Sequence, residues 1–427
     1  MQRREFMEYF EVEGGKALKG EVKIHGAKNS VLPLLAASYL CKGKSVFTNC
    51  PRLKDTEIAV DILKSLGAKV TFEKDIITVD CENAQGNIIP DEFMNQMRSS
   101  IVFMSSVLAK SGKAKLSYPG GCEIGSRPID LHLKATQNLG ANIIEDNGNL
   151  ICEAPNGFIG SEISLSFPSV GATENIIIAS CTAKGKTVLY NAALEPEICD
   201  LAKYLNKCGA KISGYGNSVI EIEGVKELYG CEYNVMPDRI EASTFLFAAC
   251  MNKGDIQLSG IDKSLFYPVI TAGEEMGAYI TEEKGALRIK APERLSRIKL
   301  IRTMPYPGFP TDAQALIMAA SCIASGTSTF IENIFESRYK HAYELMKMGA
   351  DIKIEGRMAV IEGVKTLYGS QNLSATDLRG GAALLIAALS AKGISRIYDI
   401  HHIDRGYEKI EDVFSALGVK IQRVLKG

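Results

Sequence analysis

A chain of 427 residues with a formal net charge of −1 is too long for one hydrophobic core, since cores stop growing near about 250 to 300 residues, and two domains are expected. The neutral balance excludes a general nucleic-acid binder, which needs a basic excess to displace counterions, so any anionic ligand must be met by a local cluster of cations. Eleven cysteines with no CxxC pair among them argue against a disulfide framework and a thiolate zinc site, and point to a reducing compartment.

The first stretch, MQRREFMEYFEVEGG, carries charge throughout and lacks the apolar centre of a secretory signal. No run reaches about 18 consecutive apolar residues, so no membrane span is expected and the chain reads as soluble and cytoplasmic. Two interleaved series then organise it. In chain order come six apolar, Ala- and Ser-rich runs, LPLLAASYL, SIVFMSSVLA, ENIIIASCTA, STFLFAACM, ALIMAASCIA and AALLIAALSA, closed by Gly43, Gly112, Gly185, Gly254, Gly326 and Gly393. Helices without a polar face must be buried. Alternating with them are amphipathic runs such as DTEIAVDILKSLG and HAYELMKMG, which end at Gly67, Gly140, Gly209, Gly277, Gly349 and Gly418. There a glycine supplies the left-handed residue of a helix C-terminus. Segments such as KVTFE, IITVD, VIEIEG and LRIKA alternate with period two and read as strands with one wet face. Six units of two helices and several strands, three per domain, predict an α/β fold in which sheets wrap a bundle of buried helices. Their N-termini, emerging together, would bring partial positive charge to one face.

Residues unsuited to a core fall at two equivalent positions of this repeat. One is the N-terminus of each buried helix: Lys28 and Asn29, Arg98, Ser169 with Val170 and Gly171, Asp238 with Arg239 and Glu241, Thr311 with Asp312, and Asp377 with Leu378 and Arg379. Capping accounts for Thr311, Asp238 and Asp377. It does not account for Lys28, Arg98, Arg239 or Arg379, cations that oppose the helix dipole unless an anionic ligand relieves the conflict. The other position is the loop before each amphipathic helix, which holds Glu195 and Glu197, Arg338, Arg405, and the segment from Pro119 to Leu131, PGGCEIGSRPIDL. That segment sets the thiol of Cys122 among Gly120, Gly121, Gly125, Arg127 and Asp130, where no regular period could place them. Lys28, Arg127, Arg338, Arg379 and Arg405 are expected to face one cleft and to suit a small polyanion, because guanidinium forks match phosphate and carboxylate.

The motifs HGAKN, PGGCEIGSRPIDLH, SVGAT, PDRIE, FPTDAQA, the Arg338 loop, ATDLRG and HHIDRGYE closely resemble those of the enolpyruvyl transferase family, over nearly the whole chain from about Val12 to Ile421. The resemblance implies a two-domain inside-out α/β barrel of six repeats, three per domain, with helices buried and sheets outside. Residues 28–237 would form the first domain, carrying the cysteine loop, and residues 1–27 with 238–427 the second, with the active site in the cleft between them. It also implies transfer of enolpyruvyl from phosphoenolpyruvate to the 3-hydroxyl of UDP-N-acetylglucosamine, with release of phosphate through a tetrahedral ketal, a step in bacterial peptidoglycan precursor synthesis. By the same resemblance Cys122 donates the proton to C3, or holds phosphoenolpyruvate as a thioether, and is the residue alkylated by fosfomycin. Asp312 is the general base, and Lys28, Arg127 and Arg405 clamp phosphate. Arg338 and Arg379 face the carboxylate, and Asp377 assists the protons. Asn29, Arg98, Arg127, Pro128, Ile129, Asp130, Leu131, Ser169, Val170, Gly171 and Ile334 line the nucleotide sugar. The cysteine loop is expected to close over bound sugar nucleotide before phosphoenolpyruvate reacts.

Two departures stand out: Phe167 and Leu194 occupy places where some members carry a lysine and an arginine. Three other readings compete: the sister activity on shikimate 3-phosphate, which has no use for Cys122, a non-catalytic binding paralogue, and a ring around nucleic acid. No cofactor, metal, nucleic acid or membrane partner is expected. His401 and His402 lack the spacing that would complete a metal site, His132 is expected to orient the loop, and the ten remaining cysteines read as small core residues.

Overall fold

The computed structural model describes residues 7–120, 128–283 and 285–426. They form a mixed α/β fold in two compact units, one made of the described residues of 26–122 and 127–236, the other of those up to His25 and from Pro237 onward.

In the 26–236 unit the buried helices are Lys28–Ser38, Phe103–Ser111 and Val170–Ser180, the second entered through a 3-10 turn at Arg98–Val102. In the other they are Arg239–Met251, Thr311–Ser321 and Leu378–Ser390. Their apolar residues are almost entirely withdrawn from solvent, Ile176, Ile177 and Ile178 on consecutive faces among them. Each such side chain contributes about 1.5 to 3 kcal/mol, which is why helices with no wet side are stable only here. Several of their hydroxyls bond back onto the helix, as Ser106 does to the Phe103 carbonyl and Ser321 to that of Ile317, whereas those of Ser105 and Ser180 are buried without a hydrogen bond. The amphipathic helices are Lys54–Ser65, Asp130–Asn138 and Pro196–Lys207 in one unit, and Tyr267–Glu275, Lys340–Lys347 and Ile410–Ala416 in the other. The glycines after them hold φ between 91° and 105°, the left-handed cap that the spacing predicts. In the second glycine series Gly254 departs: Lys253 takes the positive φ instead, and a Cβ on Gly254 would lie 2.8 Å from the Cα of Ala249.

The sheets share one plan. A strand leading into a buried helix pairs in parallel with the strand leaving it, and that strand pairs antiparallel with the second arm of a hairpin, as in the orders Glu162–Ser164, Lys186–Tyr190, Val219–Glu223, Lys211–Ser213 and Leu300–Arg302, Thr327–Ile331, Met358–Glu362, Asp351–Glu355. The repeat around Lys113–Ser117 keeps only a bridge between Ile88 and Lys115 in place of its parallel strand. There Pro90 turns the chain at once into the short helix Asp91–Gln96, so the second buried helix begins later and more tightly wound than its sequence predicts.

At the two crossings between units the plan is exchanged. Strand Lys19–Lys23 leads into the Lys28 helix yet pairs with Asp255–Ser259, and Glu232–Asn234 leads into the Arg239 helix yet pairs with Lys44–Thr48. The crossing segments are tied by Asp238 N–H to the His25 carbonyl at 2.8 Å and Ala27 N–H to the Met236 carbonyl at 2.7 Å. Strand Met7–Glu13 lies between Ile394–Tyr398 and Lys420–Lys426, antiparallel to both.

Candidate active site

In the unit that includes Pro237 onward, the first turns of two buried helices bring the Asp312 carboxylate and the Arg379 guanidinium together. Asp312 is the second residue of helix Thr311–Ser321, and its carboxylate, 28% exposed, meets two buried guanidinium groups. Arg338 Nη2 lies 3.5 Å from Asp312 Oδ1, and Arg379 Nη2 lies 3.3 Å from Oδ2. Arg338 Nη1 is also 3.5 Å from Asp377 Oδ1, and Arg379 Nη1 is 3.2 Å from the Tyr407 hydroxyl. Asp377 caps helix Leu378–Ser390 by accepting from Arg379 N–H and Gly380 N–H, both at 3.1 Å. Burial pushes the Asp377 carboxyl up, but Arg338, His341 and those backbone donors together hold it below its ordinary range. His341, fully buried beside Arg338, is driven down to about 4 chiefly by burial. Arg379, against its own burial, stays firmly charged beside Tyr407 and Asp312.

Asp238 likewise caps the Arg239 helix, but Thr311 does not cap its own. Pro310 occupies that position, and the Thr311 hydroxyl instead donates to Glu332 at 3.1 Å. Glu332, fully buried, accepts through its other oxygen from Thr303, Ile334 N–H and Phe335 N–H at 2.9, 2.8 and 3.1 Å. This carboxylate therefore fixes the Ile334 turn, and with it the approach to Arg338, against the helix that carries Asp312. Arg405 is half-buried in the turn after His401 and His402, whose rings lie 4.2 Å apart. Burial, then His401 and Arg405, depress His402.

In the 26–236 unit, Lys28 opens its helix and pairs with Asp55 at 2.8 Å, both nearly buried. Ser30, two residues on, bonds to Asp200, which also accepts from Tyr233 at 2.8 Å. Asn29 is half-buried. Arg98 donates to the Pro119 carbonyl at 2.9 Å, which brings it to the edge of the cysteine loop. Cys122 and Arg127, with Gly121 and Gly125, lie outside the described residues. After them Pro128 and Asp130 are exposed, Ile129 is buried and Leu131 half-buried. Ser169 caps helix Val170–Ser180 at Ala172 N–H, 3.4 Å. His132 is buried with Nδ1 2.6 Å from Asn175 Nδ2, so Nδ1 is the acceptor and Nε2 carries the proton. Burial, and then Arg98, drive it down to about 4. It packs on Gly171, where a Cβ would come within 2.9 Å of the ring. Phe167 is 44% exposed and Leu194 half-buried. Burial, then Glu197 and Glu195, raise Glu174 well above the carboxylate range.

The cations at helix N-termini thus have protein partners. Asp55 meets Lys28, Asp312 meets Arg379, the Pro119 carbonyl meets Arg98, and Arg239 lies 5.7 Å over the Tyr306 ring. For Lys28 and Arg379 the protein itself supplies an anion of the kind that the dipole argument sought in a ligand. Of the five cations expected in one cleft, Arg338 and Arg379 converge on Asp312. Asp55, Asp200, Glu174 and Glu332 were missed, because each is an ordinary residue of an amphipathic helix, a buried helix or a strand end until the fold supplies its partner, and Tyr407, in the loop before the last helix, because its hydroxyl has no marked role until Arg379 and Thr244 meet it. Among the described residues no group of three or more His, Cys, Asp or Glu side chains is placed to hold a metal ion, and no helix is long and apolar enough to cross a membrane.

The sequence pattern of the family described as EPSP synthase (3-phosphoshikimate 1-carboxyvinyltransferase) matches residues 12–414. UDP-N-acetylglucosamine 1-carboxyvinyltransferase 1 and 2 of Caldanaerobacter subterraneus subsp. tengcongensis are 50% and 48% identical over 416 residues, covering 97% of this chain and 99% of each relative. UDP-N-acetylglucosamine 1-carboxyvinyltransferase of Finegoldia magna is 46% identical over 421 residues, 98% and 99% of the two chains. Among solved structures the enolpyruvyl transferase NikO from Streptomyces tendae aligns at TM-score 0.90 and 22% identity, over 99% of this chain and all of that one. An EPSP synthase from Acinetobacter baumannii aligns at 0.77 and 18%, over 98% and 100%.

Proposed function

The chain belongs to the EPSP synthase (3-phosphoshikimate 1-carboxyvinyltransferase) family, and on that premise we propose that it moves the enolpyruvyl group of phosphoenolpyruvate to the 3-hydroxyl of UDP-N-acetylglucosamine and releases phosphate. The reaction adds the hydroxyl to C2 while a proton reaches C3, then eliminates phosphate from the resulting ketal. It needs an acid, a base and a cationic, water-poor surrounding for a polyanion.

The observation that carries this reading is the convergence of Arg338 and Arg379 on Asp312 at the start of a buried helix. Contacts of 3.3 to 3.5 Å are long for ion pairs. The carboxylate of phosphoenolpyruvate is a better bidentate partner for these guanidinium groups, and its arrival frees Asp312 to accept the sugar hydroxyl's proton. Asp377 keeps Arg338 oriented through that exchange, and Glu332 holds the Ile334 turn against the sugar. Lys28, ordered by Asp55, serves the phosphate, a role we also give to Arg127 and Arg405. Cys122 delivers the proton to C3. Neutral His132 and Ser169 shape the nucleotide-sugar side with Asn29, Arg98, Val170, Gly171 and the Pro128 to Leu131 run. At Phe167 the charge contact that a lysine would make with the nucleotide is lost or replaced by packing. We read the two units as the family's two domains of three repeats each, and the protein as a cytoplasmic enzyme of peptidoglycan precursor synthesis, where both substrates are made.

The test is phosphate release from phosphoenolpyruvate with UDP-N-acetylglucosamine. Wild type should turn over and Cys122→Ala should not, and fosfomycin should inactivate only the wild type. Turnover with shikimate 3-phosphate in place of the sugar nucleotide, or phosphate release undiminished in Cys122→Ala, would overturn the assignment.

A further inference from the structure

Helix Pro196–Lys207 has Glu195 and Glu197 at its start and Cys208 just past its end, a separation of about 18 Å along the axis. At that far end thiols gather. Cys208 Sγ and Cys231 Sγ are 3.6 Å apart, and Tyr229 N–H donates to the Cys208 carbonyl at 2.9 Å, tying the segment that carries Cys231 to the helix end. A third thiol, Cys41, lies in the strand paired with Leu228–Tyr229 and contacts the Tyr204 hydroxyl at 3.6 Å. Cys41 and Cys208 are buried, whereas Cys231 is half-buried. The pair is therefore a half-buried thiol in contact with a buried one.

We propose that Cys208 and Cys231 form a two-thiol oxidation site, in which Cys231 reacts with hydroperoxides and Cys208 resolves the product to a disulfide. In the first step the Cys231 thiolate attacks a peroxide oxygen. An S–O bond forms, the O–O bond breaks, the alcohol or water leaves with one proton, and the sulfur is oxidised by two electrons to the sulfenic acid. In the second, Cys208 gives up its proton and attacks that sulfur. The S–S bond forms, the S–O bond breaks and water leaves. In sum two thiols and one hydroperoxide give one disulfide, one alcohol and one water. The sulfurs need approach only from 3.6 Å to about 2.05 Å. Contact with Cys208 and, beyond the opposing effect of burial, the charge of Lys207 hold Cys231 below the usual thiol range, while contact with Cys231 and Cys41 and burial raise Cys208.

The full-length Cys122→Ser protein, which lacks the loop thiol, is treated with hydrogen peroxide, blocked with N-ethylmaleimide and digested without reductant for mass spectrometry. The expected product is a peptide pair joining Cys208 to Cys231, with about two thiols lost per chain. Adding Cys208→Ser should abolish the cross-link and leave a dimedone-reactive sulfenic acid at Cys231. Should that variant not fold, the alkylation rate of Cys231 against pH in the parent protein decides. Cys231 should react at least tenfold faster than Cys208 at pH 7, with a midpoint below the about 8.5 of an unperturbed thiol. Cys231 left reduced while added glutathione is oxidised, a cross-link through Cys41, or an unshifted midpoint would overturn the proposal.

Discussion

Replacing Asp377 separates two things one carboxylate does. It accepts from the N–H groups of Arg379 and Gly380 at 3.1 Å, and it faces the 2%-exposed Arg338 at 3.5 Å. Asparagine caps a helix about as well as aspartate, and alanine costs about 1 kcal/mol more. Removing one partner of a buried ion pair costs about 3 to 5 kcal/mol. Because Arg338 keeps Asp312 at 3.5 Å, the lower end of that range applies, and Asp377→Asn should lose about 3 kcal/mol and Asp377→Ala about 4 kcal/mol. The folded-state pKa of Asp377 is depressed, so its contribution is complete above the unfolded value of about 3.9 and disappears as pH falls through the folded one. Urea unfolding followed by circular dichroism between pH 7 and 3.5 measures this. The gap between wild type and Asp377→Asn should be full at pH 7 and should narrow only below about pH 4. A gap under about 0.5 kcal/mol at pH 7, or no difference between the asparagine and alanine variants, would refute the assignment of separate charge and capping roles.

Asp312→Asn should fold normally and lose about 10²- to 10⁴-fold in kcat, the usual worth of a positioned base; a loss below about threefold in the phosphate-release assay would exclude that role. Glu174→Gln copies the protonated form that burial, Glu197 and Glu195 favour. A raised folded-state pKa means wild-type stability declines as pH climbs above about 4.3. The variant should therefore unfold at a higher temperature than wild type at pH 8, with the advantage gone at pH 4. Gly171→Ala should lower Tm despite better helix propensity, because its Cβ would sit 2.9 Å from a His132 ring held by Asn175. Overpacking of about 1 to 3 kcal/mol outweighs the about 1 kcal/mol gained.

Much of the fold was legible because it is written in local signals. The two glycine series mark where helices stop, and the missing polar face of runs such as ENIIIASCTA marks which helices are buried. The Asp238 and Asp377 caps follow from residue type and place. The Thr311 cap failed because Pro310 took the position and Glu332, more than twenty residues on, captured the hydroxyl. Separation in sequence, 170 residues for Ser30 and Asp200, likewise hid Asp55 from Lys28 and Asp200 from Ser30. Reading cations at helix starts as ligand-seeking overlooked that a fold can supply its own anions. Most of the cysteines are buried as expected; what composition could not convey is that Cys208 and Cys231 would touch.

The strand Met7–Glu13 is flanked on both sides by partners from the last part of the chain, with Glu11 bonded to Gln422 across 411 residues. At a synthesis rate of about 5 to 20 residues per second, the gap between their emergence is roughly 20 to 80 s. During that interval the sheet around Lys44–Thr48 and the three helices of the 26–236 unit already have everything they need on the nascent chain. One unit can thus mature on the ribosome while a strand made before it, with Phe10 and Val12 destined for burial, waits unpaired.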